Sequence, residues 1–142
     1  MRNFLLALVL VAAPAARASE PDPTTLYVLS TEGSSTVLKV GQPGTFVLSI
    51  RTAKGAHISE DAPLKLTLSG SGGVEPGKST LGRSDAKSLS KAEGPADPRF
   101  EVPFTASSKG KATVEAKLTF FVCTETLCSR QQKTLTLPVT VD

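Results

Sequence analysis

The residues best suited to chemistry in this 142-residue sequence are its only two cysteines, Cys123 and Cys128. Four residues separate them, which is the length of a short hairpin loop. Two thiols held this close form a disulfide where the compartment is oxidising and the geometry permits it. Such a bond either cross-links the chain or exchanges with a thiolate of another protein through a mixed disulfide. The cysteines alone leave both uses open.

The residues on either side of the cysteines predict how the two strands pair. If the four intervening residues form a loop, Cys123 lies opposite Cys128 and Ala116 lies opposite Leu135, so apolar residues meet apolar ones. Directly opposed residues of antiparallel strands have Cα atoms about 4.5–5.5 Å apart, which a disulfide can span. Both sulfurs then lie on the face away from Ala116 and Leu135. We therefore predict a Cys123–Cys128 disulfide near a hairpin tip, outside the central core.

The same register predicts an aromatic and a cationic neighbour for the sulfurs, because Phe121 lies opposite Arg130 at the next pair on that face. A cation near a thiol lowers its pKa, whereas Glu125 in the loop opposes this effect. In the chain-entropy model, a bridge that closes so short a loop contributes only about 2 kcal/mol. Stabilisation by itself is thus a weak reason for the bond, although a hairpin staple remains an open alternative.

The single imidazole, His57, enters two weaker hypotheses. A closed zinc site needs four ligands, and the chain offers only two sulfurs and His57, which is distant from them in sequence. A Ser-His-Asp hydrolase site would need a formed pocket, whereas Ser59 and Asp61 are ordinary residues of a polar turn that enters a strand. We expect neither a metal nor a cofactor. Any enzymatic activity would be at most that of a thiol–disulfide oxidoreductase.

Strands must position these residues, since apolar and polar side chains alternate with period two over much of the chain. Turns rich in Gly and Pro, such as 41–44, 70–73, 76–77 and 109–110, separate the alternating segments. We predict an all-β fold, an immunoglobulin-like antiparallel sandwich of about seven strands. Segment 70–99, rich in Gly, Ser, Lys and Pro, is predicted to be a long surface loop in which Val74 and Leu81 would anchor a short strand. The alternating segments are 46–51, 64–68, 100–104, 114–120 and 134–141, with weaker ones at 26–29 and 36–40.

The amino-terminal segment has the three parts of an export signal: basic Met1-Arg2, an apolar run over 4–13, and small residues ending at Ala18. The apolar run is too short to cross a bilayer, and no cysteine follows it to carry a lipid. We predict a signal peptide over 1–18, cleaved near Ala18, and a single domain over 19–142. The mature protein would lie in the periplasm or outside the cell, without a stable membrane anchor.

Charge excludes one class of partner. The whole chain has 16 Lys and Arg against 13 Asp and Glu, but Arg2 and Arg17 lie in the predicted signal. Its removal leaves 14 basic residues against 13 acidic ones. Because no dense basic cluster with interleaved aromatic residues replaces the lost charge, we expect no nucleic-acid partner.

Two patches of the sequence resemble a known family. Segment 120–128, Phe-Phe-Val-Cys-Thr-Glu-Thr-Leu-Cys, and the closing strand over 134–141 with its Pro-Val resemble the amino-terminal immunoglobulin-like periplasmic domain of the thiol:disulfide interchange protein DsbD and its small stand-alone exported relatives. Segment 55–58, Gly-Ala-His-Ile, resembles that family's Gly-aromatic-His turn, with Ala56 in place of the aromatic residue. The gap between the cysteines is one residue shorter than in the family, and Ser129-Arg130 replaces its Tyr-Pro.

In that family the two cysteines pass reducing equivalents to periplasmic partners, and a neighbouring loop shields the disulfide. The resemblance implies that Cys123 and Cys128 are a redox pair that exchanges with a thioredoxin-like or other thiol-bearing protein. The first hypothesis is therefore an exported thiol–disulfide exchange module. The alternative is a non-catalytic binding or structural sandwich, in which the disulfide only stabilises the hairpin.

Overall fold

The computed structural model describes residues 14–15 and 19–142. The predicted signal peptide and its cleavage site at Ala18 therefore lie almost entirely outside the described residues. The described chain forms two β-sheets with their apolar faces packed together, and this confirms the predicted all-β, immunoglobulin-like sandwich. No helix in this part of the chain is long and apolar enough to cross a membrane.

Eleven strands are present in the described part of the chain, more than the seven predicted, because several are only two to four residues long. The strands are β1 (Tyr27–Ser30), β2 (Val37–Leu38), β3 (Pro43–Thr52), β4 (His57–Ile58), β5 (Lys65–Ser71), β6 (Val74–Pro76), β7 (Thr80–Leu81), β8 (Lys87–Leu89), β9 (Asp97–Ala106), β10 (Gly110–Cys123) and β11 (Cys128–Val141). In one sheet the order is β1-β3-β9-β6, and β8 also pairs with β9. In the other sheet the order is β2-β11-β10-β5-β7, and β4 also pairs with β10.

The period-two pattern produces the core, because alternate side chains of each long strand point between the sheets. Burying such side chains removes their apolar surface from water and supplies most of the favourable folding free energy. The largest fully buried side chains are Phe46, Phe100, Phe104, Phe120, Leu48, Ile50, Leu66 and Leu118.

The chain changes sheets between β1 and β2. β1 pairs with β3, and after β1 the residues Ser34 and Ser35 remain hydrogen-bonded to β3. The Ser34 hydroxyl accepts from Val47 N at 2.8 Å, and Ser35 N donates to Thr45 O at 2.8 Å. The chain then pairs in parallel with the end of β11, where Val37 lies opposite Thr140. One continuous segment thus joins both sheets along this side of the sandwich.

The prediction of a long surface loop over 70–99 is wrong for most of that segment. Residues 74–96, here called the crossing segment, pass from one sheet to the other and back: β6 pairs with β9, β7 with β5, and β8 with β9. Val74 and Leu81 are buried, as the anchoring role predicted for them requires. Strands of two or three residues are too short to show a period, which is why alternation did not reveal them.

Strands β10 and β11 form a hairpin of fourteen residues on each side, in the predicted register. Ala116 lies opposite Leu135, and Cys123 lies opposite Cys128. Near the tip, however, buried Phe120 faces Gln131. Tyr27 covers this pair: its ring packs edge-on against Phe120 with centroids 4.8 Å apart, and its hydroxyl donates to Gln131 Oε1 at 2.9 Å. The polar residue is satisfied there rather than left unpaired in the core.

Candidate functional site

The two cysteines are joined by a disulfide at the tip of the β10–β11 hairpin, as predicted, with Cα atoms 4.1 Å apart. Thr124 closes the four-residue loop with two hydrogen bonds. Its N–H donates to Leu127 O at 2.7 Å, and its hydroxyl accepts from Leu127 N at 3.2 Å. The loop is therefore ordered by its own backbone and one threonine.

The two ends of the bridge differ in exposure, which the sequence did not reveal. Cys123 is only 3% exposed, whereas Cys128 is exposed. Cys123 lies on β10, between β11 and β4, so strands cover it on both sides. Cys128 lies on β11, which has no further strand beside it at this level among the described residues. An incoming group would thus meet the sulfur of Cys128 first.

His57 lies directly opposite Cys123, on the side away from Cys128. Although this imidazole is distant from the sulfurs in sequence, the fold brings it beside them, because β4 is added to the sheet beside β10 at the level of the bridge. Opposed residues of an antiparallel pair present their side chains on the same face. The outer face of this sheet therefore carries the row His57, Cys123, Cys128. The sequence singled out this histidine as the single imidazole and through the family resemblance at 55–58. It did not predict the pairing with Cys123, since a strand of two residues has no detectable pattern.

The row next to the bridge contains Phe121 and Arg130, which lie opposite each other as predicted. Ser59 completes this row, since its N–H donates to Phe121 O at 2.9 Å and extends the pairing of β4 with β10. Arg130 is exposed, while Phe121 is half-buried. An aromatic surface and an exposed cation therefore adjoin the sulfurs. The Ser59 hydroxyl accepts from Ala62 N at 3.2 Å, which is the polar turn that the sequence predicts here.

Two cations of the crossing segment hold the backbone on either side of His57. Lys91 Nζ donates to Ala56 O at 2.8 Å, one residue before the histidine. Arg83 donates from one guanidinium nitrogen to Ser59 O, two residues after it, and to Ala62 O at 3.1 Å. The position of β4 thus depends on a part of the chain that is remote in sequence.

Lys91 is itself held by a nearly buried charge. Its Nζ donates to Thr52 Oγ1 at 2.6 Å and lies 3.7 Å from Asp97 Oδ1. The carboxylate accepts from the Thr52 hydroxyl at 2.7 Å and from Thr52 N at 3.1 Å. The side chains of Asp97 and Lys91 are 2% and 13% exposed. A buried pair is retained only where hydrogen bonds of this kind satisfy both charges.

One carboxyl group in the crossing segment and one in β9 have a pKa below the ordinary value. The Lys78 ammonium and the Gly82 N–H hydrogen bond to Asp85 and lower the pKa of its carboxyl below the ordinary 3.8. Hydrogen bonds from Lys87 and then Arg99 lower the pKa of Glu101 below 4.5. Each of these groups forms an ion pair on the surface, so ordinary attraction explains the shifts without a catalytic role.

The bridge is not at the bottom of a cavity. Cavities of about 340 and 530 Å³ lie near the crossing segment, and neither is lined by a cysteine. In the described part of the chain no three residues among His, Cys, Asp and Glu come together as metal ligands would.

No protein-family model and no curated protein matches this sequence. Among solved structures, the chain is similar to AggA, the major subunit of aggregative adherence fimbriae type I from Escherichia coli, with 15% identity and a TM-score of 0.37. The match covers 82% of this chain and 94% of the fimbrial chain.

Proposed function

We propose that this protein is an exported thiol–disulfide exchange module similar to the amino-terminal domain of DsbD. The observation that carries the proposal is the unequal exposure of the two cysteines, with Cys128 accessible and Cys123 buried. A bond that served only to hold the hairpin would add little, since β10 and β11 are already paired over their whole length. A half-accessible bridge beside Arg130 suits attack by a partner thiolate.

The exchange would proceed in two steps. A thiolate of a partner dithiol attacks Cys128 Sγ, the sulfur–sulfur bond breaks, and its electron pair leaves on Cys123 Sγ as a thiolate. The second partner thiol, deprotonated, then attacks its own neighbour in the mixed disulfide and releases Cys128. The partner dithiol has become a disulfide and this pair a dithiol, with two electrons and two protons transferred. The same steps in reverse would reduce a partner.

Trapping tests the proposal. The Cys123→Ser variant keeps the accessible thiol and lacks the resolving one. It should therefore accumulate a mixed disulfide with a thioredoxin-like protein whose single cysteine is supplied as a disulfide with thionitrobenzoate, which leaves as the free thiolate when Cys128 attacks. The Cys128→Ser variant is the matched control and should form at least tenfold less, because Cys123 is buried. Mass spectrometry of the unreduced mixture measures both. Equal trapping by the two variants, or trapping by neither, would contradict the proposal.

The reduction potential gives a second, independent measurement, by equilibration with glutathione or a dithiol buffer. A value near or above about −230 mV supports exchange, whereas one below about −300 mV identifies an inert structural bond.

The second candidate is a non-catalytic binding or structural sandwich. This function requires no feature beyond the β-sandwich and the Cys123–Cys128 disulfide. The burial of Cys123 favours this candidate, because a covered sulfur is a poor leaving group. The Cys123→Ala/Cys128→Ala variant separates the two by urea denaturation. A loss of about 2 kcal/mol or less is what a bridge over so short a loop contributes. A much larger loss would give the bond a sufficient structural reason and favour this candidate.

A further inference from the structure

We infer that His57 stabilises the Cys123 thiolate whenever the bridge is open, and that the crossing segment exists in part to hold the imidazole there. This inference rests on the proposed function and assigns it a third side chain. It starts from one observation: β4 is paired with β10 so that His57 and Cys123 are directly opposed. Opposed residues have Cβ atoms about 4.5–5.5 Å apart, which is within reach of an imidazole and a thiolate.

Cys123 needs such a neighbour more than Cys128 does. When the bond opens, the negative charge on Cys123 is formed at a site only 3% exposed, where water stabilises it poorly. Burial of this kind raises the pKa of a thiol and makes it a poor leaving group. Exposed Cys128 is solvated and has Arg130 two residues along the same strand. The buried sulfur lacks this solvation, and His57 can supply an N–H donor to it.

The backbone around His57 is fixed more firmly than a two-residue strand alone would be. Lys91 holds the carbonyl before it and Arg83 holds the carbonyl of Ser59 after it. Ser59 N in turn donates to Phe121 O, which closes the pairing with β10. A side chain that acts on a neighbouring charge works best from a fixed backbone, and these contacts fix the backbone on both sides of His57. They also give the crossing segment a role at the site.

The elements packed around the imidazole carry other charged groups. Beside it on β10 and β11 are the two cysteines and Arg130, and the hairpin loop adds an acidic residue. The turns that flank β4 add one exposed cation and two acidic groups, while the two cations of the crossing segment are engaged with backbone carbonyls. The groups are Cys123, Cys128, Arg130, Glu125, Lys54, Glu60, Asp61, Lys91 and Arg83.

In the forward step, His57 acts as the sulfur–sulfur bond breaks. The partner thiolate forms a bond to Cys128 Sγ, and the electron pair of the broken bond moves to Cys123 Sγ. The imidazole N–H donates a hydrogen bond to this thiolate, and a protonated imidazole adds its positive charge. In the return step the same thiolate attacks Cys128 Sγ in the mixed disulfide, the bridge re-forms, and the partner leaves as a thiolate. His57 is neither consumed nor covalently changed.

Titration of a single thiol tests the inference without any partner. In the Cys128→Ser background, the ultraviolet absorbance of the thiolate reports the pKa of Cys123. Replacing His57 by Phe should raise that pKa by about 1, which lowers the thiolate fraction at neutral pH about tenfold. His57→Gln keeps an N–H donor without the charge and should recover part of the shift. Lys54→Gln, which removes a cation from the exposed preceding turn, is the matched control and should leave it unchanged.

The amide resonances of Ile58 and Phe121 show whether β4 stays paired in each variant. An unchanged Cys123 pKa in a folded His57→Phe protein would overturn the inference, as would an equal shift in Lys54→Gln. If β4 is no longer paired in the His57→Phe variant, a second measurement decides: the pH dependence of the reduction potential of the His57→Gln protein with both cysteines present. The inference would be overturned if this pH dependence is identical to that of the unsubstituted protein. Failure of the trapping experiment would overturn the proposed function and leave these titrations unaffected.

Discussion

The β10–β11 hairpin and the crossing segment are held in place differently. The hairpin is held by a continuous backbone ladder and an apolar inner face. The crossing segment has only short stretches of backbone pairing, of two or three residues, and ion pairs of its lysines add to them: Lys91 with Asp97, Lys78 with Asp85, and Lys87 with Glu101. Backbone pairing resists local change, whereas a region tied by individual charges can be loosened one contact at a time.

The largest effect is expected inside the hairpin. Phe120 is completely buried, so Phe120→Ala removes a ring from the core and leaves a cavity, with an expected cost of about 4 kcal/mol. Urea denaturation measures it. Thr119→Ala, on the outer face of the same strand, is the control and should cost no more than about 0.5 kcal/mol. A loss below about 2 kcal/mol for Phe120→Ala would show that the hairpin is not the stable part of the molecule.

A smaller loss, concentrated in the crossing segment, is expected for Asp97→Asn. The substitution removes the counter-charge of nearly buried Lys91, and breaking such a pair from one side costs about 3 kcal/mol. Adding Lys91→Met should recover part of this loss. Exposed Glu93→Gln, in the same loop, is the control. Hydrogen exchange should quicken first in the crossing segment and β4; equal quickening throughout β10 would refute the contrast between the two regions.

Acid gives the smallest and most selective test. Because the folded-state pKa of Asp85 is below the ordinary 3.8, its contribution to stability is present above that value and lost as pH falls through the folded pKa. Loss of the contacts from Lys78 and Gly82 should therefore loosen residues 78–85 while the hairpin stays intact. The Gly82 amide resonance measured against pH gives the midpoint, which should lie below 3.8. Asp85→Asn should abolish this transition, and a midpoint above 3.8 would refute the assignment.

The hairpin was predictable residue by residue because its strands are long. Seven alternating residues over 114–120 and eight over 134–141 favour one register, which keeps Ala116 opposite Leu135, and the pairing of Cys123 with Cys128 follows from it. The predicted Phe121–Arg130 pair follows for the same reason. Only the difference in exposure between the cysteines escaped, because it depends on which strand is added beside β10.

The crossing segment and His57 were not predictable from pattern, for a common physical reason. A strand of two residues, such as β4 or β7, contains no full period, so alternation cannot report it. The contacts that fix these strands join residues far apart in sequence, such as Arg83 with Ser59 and Lys91 with Ala56. A composition rich in glycine and charged residues is found both in mobile surface loops and in segments that lysine side chains fix to the protein. Composition therefore does not distinguish the two.

The outer edge of β11 is largely unpaired in the described chain, and this bears on self-association at high protein concentration. Within the described chain its outer edge is covered by β2 only at Thr140 and Val141, so a long row of backbone groups is left open beside Cys128. Such an edge can recruit a strand of another molecule and start aggregation. Lys133, paired with inward-facing Leu118, and Pro138, which lacks an N–H, both disfavour an added strand. The open edge thus carries its own protection against self-association, and replacing these two residues with valine would remove it.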